Sequence, residues 1–193
     1  MQKLTRSDLM PLEAYAHERT PFRERVLAHK QPRKIRIGQH VTLLLEDRLT
    51  VQYQIQEILR TEKIFGATGI EEELAAYNPL IPDGRNLKAT MLIEYEDAEV
   101  RKRELQRLRG VEHDVSVMVE GHPPVKGKAD EDLPRSNEVK TSAVHFLRFE
   151  LDAAMIADFK RDAGVSLRIE HPAYRAEQRL TDDQQQALAA DFD

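Results

Sequence analysis

The chain contains no cysteine, and this absence excludes several kinds of chemistry. Disulfide bonds, thiolate nucleophiles, cysteine-held iron–sulfur clusters and sulfur-ligated zinc sites all need that residue. Any metal bound here would have to be held by histidine, aspartate and glutamate side chains. From the sequence itself we predict neither a metal site nor a cofactor.

Glycine is sparse as well, with eight residues in 193. None of them falls into the spacing of a P-loop or of a dinucleotide-binding turn, so a nucleotide cofactor is not indicated. The nucleophile elbow G-x-S-x-G and the zinc motif H-E-x-x-H are also missing. No catalytic motif is therefore predicted, and the sequence leaves open whether the protein is an enzyme.

Long apolar runs are missing too. No segment approaches the roughly 20 apolar residues that span a bilayer, and no apolar segment follows the basic residues near Met1. We therefore expect a cytoplasmic protein without a membrane partner. The net charge of −5 and the pI of about 5.8 make nucleic acid an unlikely partner, because dedicated nucleic-acid binders usually carry a basic excess.

The residues that are present predict one α+β domain over 1–193, because domains commonly contain about 100–200 residues. Apolar and polar residues alternate in several segments, which is typical of half-buried strands. We therefore predict a mostly antiparallel sheet of about six strands. They lie near residues 35–37, 41–45, 87–95, 115–119, 142–151 and 165–169.

Helical spacing predicts an N-terminal pair of helices, with the second beginning at Thr20-Pro21 and ending at Pro32. Further helices are expected to pack on the sheet, and Asp47, Asp152 and Thr181 are suitable N-caps for three of them. Residues 121–140 contain three prolines and two glycines in a charged segment with few apolar residues. We predict an exposed loop there, or the tip of a hairpin.

The segment from His29 to Arg60 is the most informative for function. On its predicted helix, Gln56, Glu57 and Arg60 are neighbours that present an amide, a carboxylate and a guanidinium. Such groups suit recognition of a polar ligand or protein partner, but they also suit an internal network that fixes helix against sheet. The binding candidates are His29, Lys30, Arg33, Glu46, Asp47, Arg48, Gln56, Glu57 and Arg60.

Two of the seven histidines raise separate questions. Glu13 and His17 lie four residues apart on a predicted helix, where they could share a metal or form an ordinary surface contact. His145 has the same strand parity as Leu147, Phe149 and Leu151. We expect it to be a core histidine with its hydrogen bonds satisfied.

A set of short runs in and around this segment can be compared with known families: Phe22-Arg23, His29-Lys30-Gln31-Pro32-Arg33, Gly38, Thr42-Leu43-Leu44-Leu45-Glu46-Asp47-Arg48 and Tyr53-Gln54-Ile55-Gln56-Glu57-Ile58-Leu59-Arg60. These runs resemble an uncharacterised bacterial family, the domain of unknown function 3501. Glu94 and residues 170–174 are similar to it too, so the resemblance covers most of the chain.

Genes of this family often neighbour those for rubrerythrin and an iron–sulfur oxidoreductase, which implies a link to peroxide defence or electron transfer. The resemblance carries no catalytic residues.

Three functions follow as hypotheses. The first is an accessory protein that binds a protein partner in a cytoplasmic redox system. The second is a non-haem metal-binding protein or small enzyme using His, Glu and Asp. The third is a nucleic-acid-binding regulator using the basic segment 23–36. We also predict that two copies of the chain can form a homodimer, because the exposed edges of a sheet must be covered or paired.

Overall fold

The computed structural model describes residues 1–161 and 163–193 of the chain. No helix in these ranges combines the length and the apolar character that crossing a bilayer requires. The helices are α1 (Leu12–Lys30), α2 (Arg48–Glu62), α3 (Ala67–Tyr77), α4 (Ala98–Arg107), α5 (Ala153–Lys160) and α6 (Asp182–Ala189).

Side-chain caps set the start of four helices. In each, the carboxylate or hydroxyl of the residue before the helix accepts a hydrogen bond from the backbone N–H three residues later. This satisfies a donor that has no partner inside the helix. The caps predicted at Asp47, Asp152 and Thr181 are confirmed, and Asp97 caps α4 in the same way.

The strands form two antiparallel sheets. One has the order β1-β2-β3-β7-β6 and the other the order β5-β4-β8-β9, so the α+β class is confirmed. The strands are β1 (Lys34–Ile37), β2 (Val41–Glu46), β3 (Asn86–Ile93), β4 (Val115–Val119), β5 (Val125–Lys126), β6 (Lys128–Ala129), β7 (Val144–Glu150), β8 (Val165–His171) and β9 (Tyr174–Arg179).

Both sheets contribute one face to a common apolar core. In β3, for example, Leu87, Ala89, Met91 and Ile93 are buried and belong to this core, while the residues between them face the other way. Side chains from β4 and β8 join the same cluster, as do residues of α4, α5 and α6. The period-two pattern of the strands therefore determines which sheet faces are inside.

The first three helices form a separate layer with its own small clusters. Tyr15, Phe22 and Val26 of α1 make one cluster. Val51 and Ile55 of α2 make another, together with residues of α3 and of the N-terminal segment. This layer brings the segment from His29 to Arg60 against the five-stranded sheet.

The predicted N-terminal pair of helices is one continuous helix. Pro21 lies inside α1 and removes one backbone hydrogen bond, which commonly costs about 3 kcal/mol. Phe22 and Val26 nevertheless continue the buried stripe that begins at Tyr15, so packing holds the helix together across the proline. Pro21 itself is exposed, where water can hydrogen-bond the freed carbonyl.

Three strands were not predicted. β5 and β6 contain two residues each and lie within 121–140, where β5 pairs with β4 and β6 pairs with β7. β9 pairs with β8 along its whole length, but its sequence YRAEQR has no apolar alternation. A strand that buries little of its surface leaves no periodic apolar signal, and this explains why β9 was missed.

Candidate functional site

Three of the predicted binding residues meet at one point. His29 lies in the last turn of α1, Arg33 in the 3₁₀ turn that follows, and Asp47 at the N-cap of α2. Asp47 Oδ2 is 2.5 Å from His29 Nε2 and 3.2 Å from Arg33 Nε. The other carboxylate oxygen of Asp47 accepts the capping hydrogen bond from the Thr50 amide. Asp47 therefore joins the ends of two helices.

Arg33 connects this junction to the C-terminus. Its guanidinium is 2% exposed and donates two hydrogen bonds to Asp191, at 2.8 and 2.6 Å, and a third to the Ala187 carbonyl. Burial alone would lower the pKa of Arg33, but the carboxylate of Asp191 outweighs it and raises that pKa. Burial raises the pKa of Asp191. This buried ion pair ties the turn after α1 to the residues after α6.

Glu46 lies one residue before this junction and has its own partners. It is 2% exposed, and its two oxygens accept hydrogen bonds from the hydroxyls of Thr50 and Thr90, at 2.5 and 2.6 Å. Thr50 belongs to α2 and Thr90 to β3. Glu46 therefore fixes the start of α2 against the five-stranded sheet.

Glu57 forms a second group on the side of α2 that faces α1. Arg19 of α1 donates to both of its oxygens, at 2.8 and 2.9 Å, and Tyr15 donates to one of them at 2.7 Å. Arg60 approaches the same carboxylate at 3.3 Å. The hydrogen bonds from Arg19, together with those from Tyr15 and Arg60, lower the pKa of Glu57 to about 2.

The other candidates have separate partners. Gln56 is fully buried and hydrogen-bonds the backbone of Met10 in both directions. Arg48 pairs with Asp8 at 2.5 Å, and the Lys30 ammonium lies over the Tyr53 ring. The candidates therefore form two main groups and several single contacts, and most of these contacts join α1, α2 and the N-terminal segment.

A buried polar cluster that was not predicted surrounds His145. This histidine is fully buried, as expected, and Nδ1 is 2.6 Å from Asp130 Oδ2 while Nε2 is 2.8 Å from Thr141 Oγ1. Thr141 donates to Glu112 at 2.9 Å, and Ser136 also hydrogen-bonds Glu112. Burial alone would raise the pKa of Glu112, but the hydrogen bond from Ser136 and its other contacts lower it.

The chemistry of this cluster can be judged from its distances. Glu112, Asp130 and His145 each offer a ligand atom within 4.8 Å of the others. Two ligands of one zinc- or iron-like ion, bonded at about 2.0–2.2 Å, lie roughly 3 Å apart or more. The 2.6 Å between His145 and Asp130 is instead a hydrogen-bond distance. The cluster anchors the segment 130–141 to β7 and to the turn before β4.

A cavity of about 340 Å³ lies on the face of the five-stranded sheet that points away from the core. Its apolar wall comes from Tyr77, Leu80 and Phe146. Three of its basic groups come from adjacent strands, Lys88 of β3, Arg148 of β7 and Lys128 of β6, and Arg135 of the segment after β6 is a fourth. No sequence motif marks this site, because its residues become neighbours only through strand pairing.

The same sheet face carries apolar side chains outside the core. Leu44, Leu92, Val144 and Phe146 alternate with core residues on β2, β3 and β7. In the described part of the chain they belong to none of the apolar clusters. Strand register places Leu44 and Phe146 on either side of Thr90, and Leu92 opposite Val144. We call these four residues the outer apolar face.

Comparison with known proteins agrees with the resemblance noted from the sequence. Residues 3–192 match the family described as "Protein of unknown function (DUF3501)". The chain belongs to this family. It is also similar to a crystal structure described as a novel protein of unknown function from Burkholderia pseudomallei K96243, with 49% identity over 100% of both chains and a TM-score of 0.94. No protein with curated annotation matches the chain.

Proposed function

We propose that this DUF3501 protein is an accessory protein that binds a protein partner in a cytoplasmic redox or peroxide-defence system. The observation that carries the proposal is the outer apolar face. An antiparallel sheet can leave one face to solvent, and such a face is then normally polar. Here it presents Leu44, Leu92, Val144 and Phe146.

The surroundings of this face suit a protein interface. Val144 on the face is 38% exposed. Protein interfaces combine an apolar centre with a polar rim, and adjoining exposed apolar side chains are a recognised sign of one. Charged side chains such as Arg135 and Glu94 lie around the apolar centre.

The redox assignment rests on the family. The sequence resemblance implies a gene setting with rubrerythrin and an iron–sulfur oxidoreductase, and a chain without cysteine would leave metal and thiol chemistry to such partners. The polar side chains of α2 already have partners inside the protein. Glu57 accepts hydrogen bonds from Arg19 and Tyr15, and Gln56 accepts one from the Met10 amide. The partner would then contact the sheet and not that helix.

The test is a binding titration with purified rubrerythrin and iron–sulfur oxidoreductase from the same organism. Changing Leu92 and Val144 together to Glu places two charges on the outer apolar face. We expect this double variant to bind at least about tenfold more weakly than the wild type, because buried charges in an interface must be desolvated. Leu27→Glu on α1 is the matched control, since Leu27 is 40% exposed against 38% for Val144.

The result would contradict the proposal if neither partner bound, or if the double variant bound as well as the control. A second copy of the chain is the competing occupant of this face. Sedimentation over a concentration range separates the two cases. If the wild type dimerises and the double variant does not, the outer apolar face binds a second copy of the chain and not a redox partner.

A further inference from the structure

A row of three cations crosses the outer face of the five-stranded sheet. Lys88 of β3 is directly opposite Arg148 of β7, and Arg148 is directly opposite Lys128 of β6. All three line the cavity of about 340 Å³ described above. Like charges directly opposite each other destabilise a sheet, so this row is an unfavourable arrangement unless anions accompany it.

Protein carboxylates form ion pairs only with the middle of the row, although Glu46 of β2 lies opposite Lys88 in the strand register. Arg148 forms two hydrogen bonds with Glu131, both at 2.8 Å, and also contacts Glu150. Lys88 donates to the uncharged carbonyl of Pro79. Across residues 1–161 and 163–193, neither Lys88 nor Lys128 has a carboxylate oxygen within 4.0 Å. Two ammonium groups at the cavity are therefore without a close counterion.

The acids at the cavity do not fill this role. Glu131 is occupied by Arg148, and Asp132 forms two hydrogen bonds with Arg135 at 2.6 and 2.7 Å. Glu73 faces the cavity from α3, but burial raises the pKa of its carboxyl group. Burial also lowers the pKa of Lys88. The carboxylate of Asp83 opposes this change, and the neighbouring Arg148 adds to it. An anion placed between Lys88 and Lys128 would relieve this repulsion.

The rest of the cavity is apolar. Tyr77, Leu80 and Ala76 line it on the helical side and Phe146 on the sheet side. Ligand cavities of a few hundred Å³ with apolar walls and a few convergent polar groups are typical small-molecule sites. A free inorganic anion would use only the charged end of this cavity, whereas a ligand with an apolar body would use both ends.

We propose that this cavity binds a small organic anion, with a carboxylate or phosphate head between Lys88 and Lys128 and an apolar body against Tyr77, Leu80 and Phe146. The cavity shares Phe146 with the outer apolar face, but binding of a small anion can be tested on the isolated protein, without any redox partner. Decanoate and decyl phosphate are probes with the two head groups, and decanol is the uncharged counterpart.

Isothermal titration of the three probes against the wild type is the first arm. We expect decanoate, decyl phosphate or both to bind, with an affinity that falls as salt is added, and decanol to bind at least about tenfold more weakly. Whichever head group binds more tightly identifies the ligand class. Absence of binding by both anions, or equal binding of decanol, overturns the proposal.

Variants of the lysines are the second arm. Lys128→Gln changes an exposed residue, so we expect this variant to fold normally. Lys88→Gln is a second single variant, at the half-buried lysine. We expect each to weaken anion binding about fivefold or more. Lys126→Gln, an exposed lysine on β5 outside the cavity, is the matched control and should change affinity less than twofold. Equal affinities for Lys128→Gln and Lys126→Gln contradict the assignment.

Discussion

Arg33 and Asp191, separated by 158 residues, form a two-hydrogen-bond ion pair that is almost completely buried. The pair joins the turn after α1 to the residues after α6. Because Asp47 also approaches Arg33, the ends of α1 and α2 share this junction with the C-terminus. A candidate binding residue from the sequence thus serves as a link between distant segments.

Arg33→Met should destabilise the protein by about 3–5 kcal/mol, because it leaves Asp191 buried without its cation. The double variant Arg33→Met, Asp191→Leu should lose less than the sum of the two single variants, since it removes both charges. Urea unfolding of the four proteins measures this coupling. Additive losses would mean that the two side chains do not interact.

Glu57 should make stability depend on pH. Its pKa is near 4.5 when unfolded and about 2 when folded, so its carboxylate stabilises the fold fully above about pH 4.5. That contribution is lost as pH falls towards 2. We expect Glu57→Gln to cost about 2 kcal/mol at pH 7 and almost nothing near pH 2, measured by urea unfolding at each pH. A loss that is the same at every pH would exclude this charge effect.

His145 should control the order of the segment 130–141. Replacing His145 by Ala leaves Asp130 and Thr141 with fewer buried hydrogen bonds, at a cost of about 3 kcal/mol. Trypsin should then cut faster at Arg135, as followed by mass spectrometry. His17→Ala on α1 is the control, because His17 is exposed and lies on a different element from the cluster. Equal cutting of both variants would show that the cluster does not hold this segment.

Gly38 should tolerate no side chain. Its φ is +70°, and a Cβ would lie 2.6 Å from Tyr174 Oη, which itself donates to the Ile37 carbonyl. Gly121 has φ of +85° but open space around it. Gly121→Ala therefore measures backbone strain alone, about 1 kcal/mol, and Gly38→Ala should cost about 2 kcal/mol more. Similar melting temperatures for the two variants would contradict the close contact.

The sequence predicted the local features well, because each depends on neighbours along the chain. The α+β class, the cap of α2 by Asp47 and the core position of His145 all follow from spacing or parity. The hydrogen-bond and ion-pair partners of such residues could not be predicted from the sequence. Arg33 meets Asp191, and His145 meets Asp130, across chain separations that no periodic pattern encodes.

The candidate surfaces show the same limit. The row of Lys88, Arg148 and Lys128 depends on the register of three strands, one of which has only two residues. Leu44 and Phe146 alternate correctly for a strand, but the alternation does not say which face the core covers. The segment from His29 to Arg60 was prominent because it is rich in charge, and most of that charge pairs within the protein.

We propose that the protein binds its partner through the outer apolar face and uses the polar groups of α2 to hold its own helices. The most direct test compares Val144→Glu and Glu57→Gln in one series, measuring unfolding free energy and titration against the rubrerythrin and the iron–sulfur oxidoreductase. We predict that Val144→Glu keeps its stability and loses binding, whereas Glu57→Gln loses stability and binds normally per folded molecule. The reverse pattern, with binding lost in Glu57→Gln and intact in Val144→Glu, would contradict the account and place the functional surface on α2.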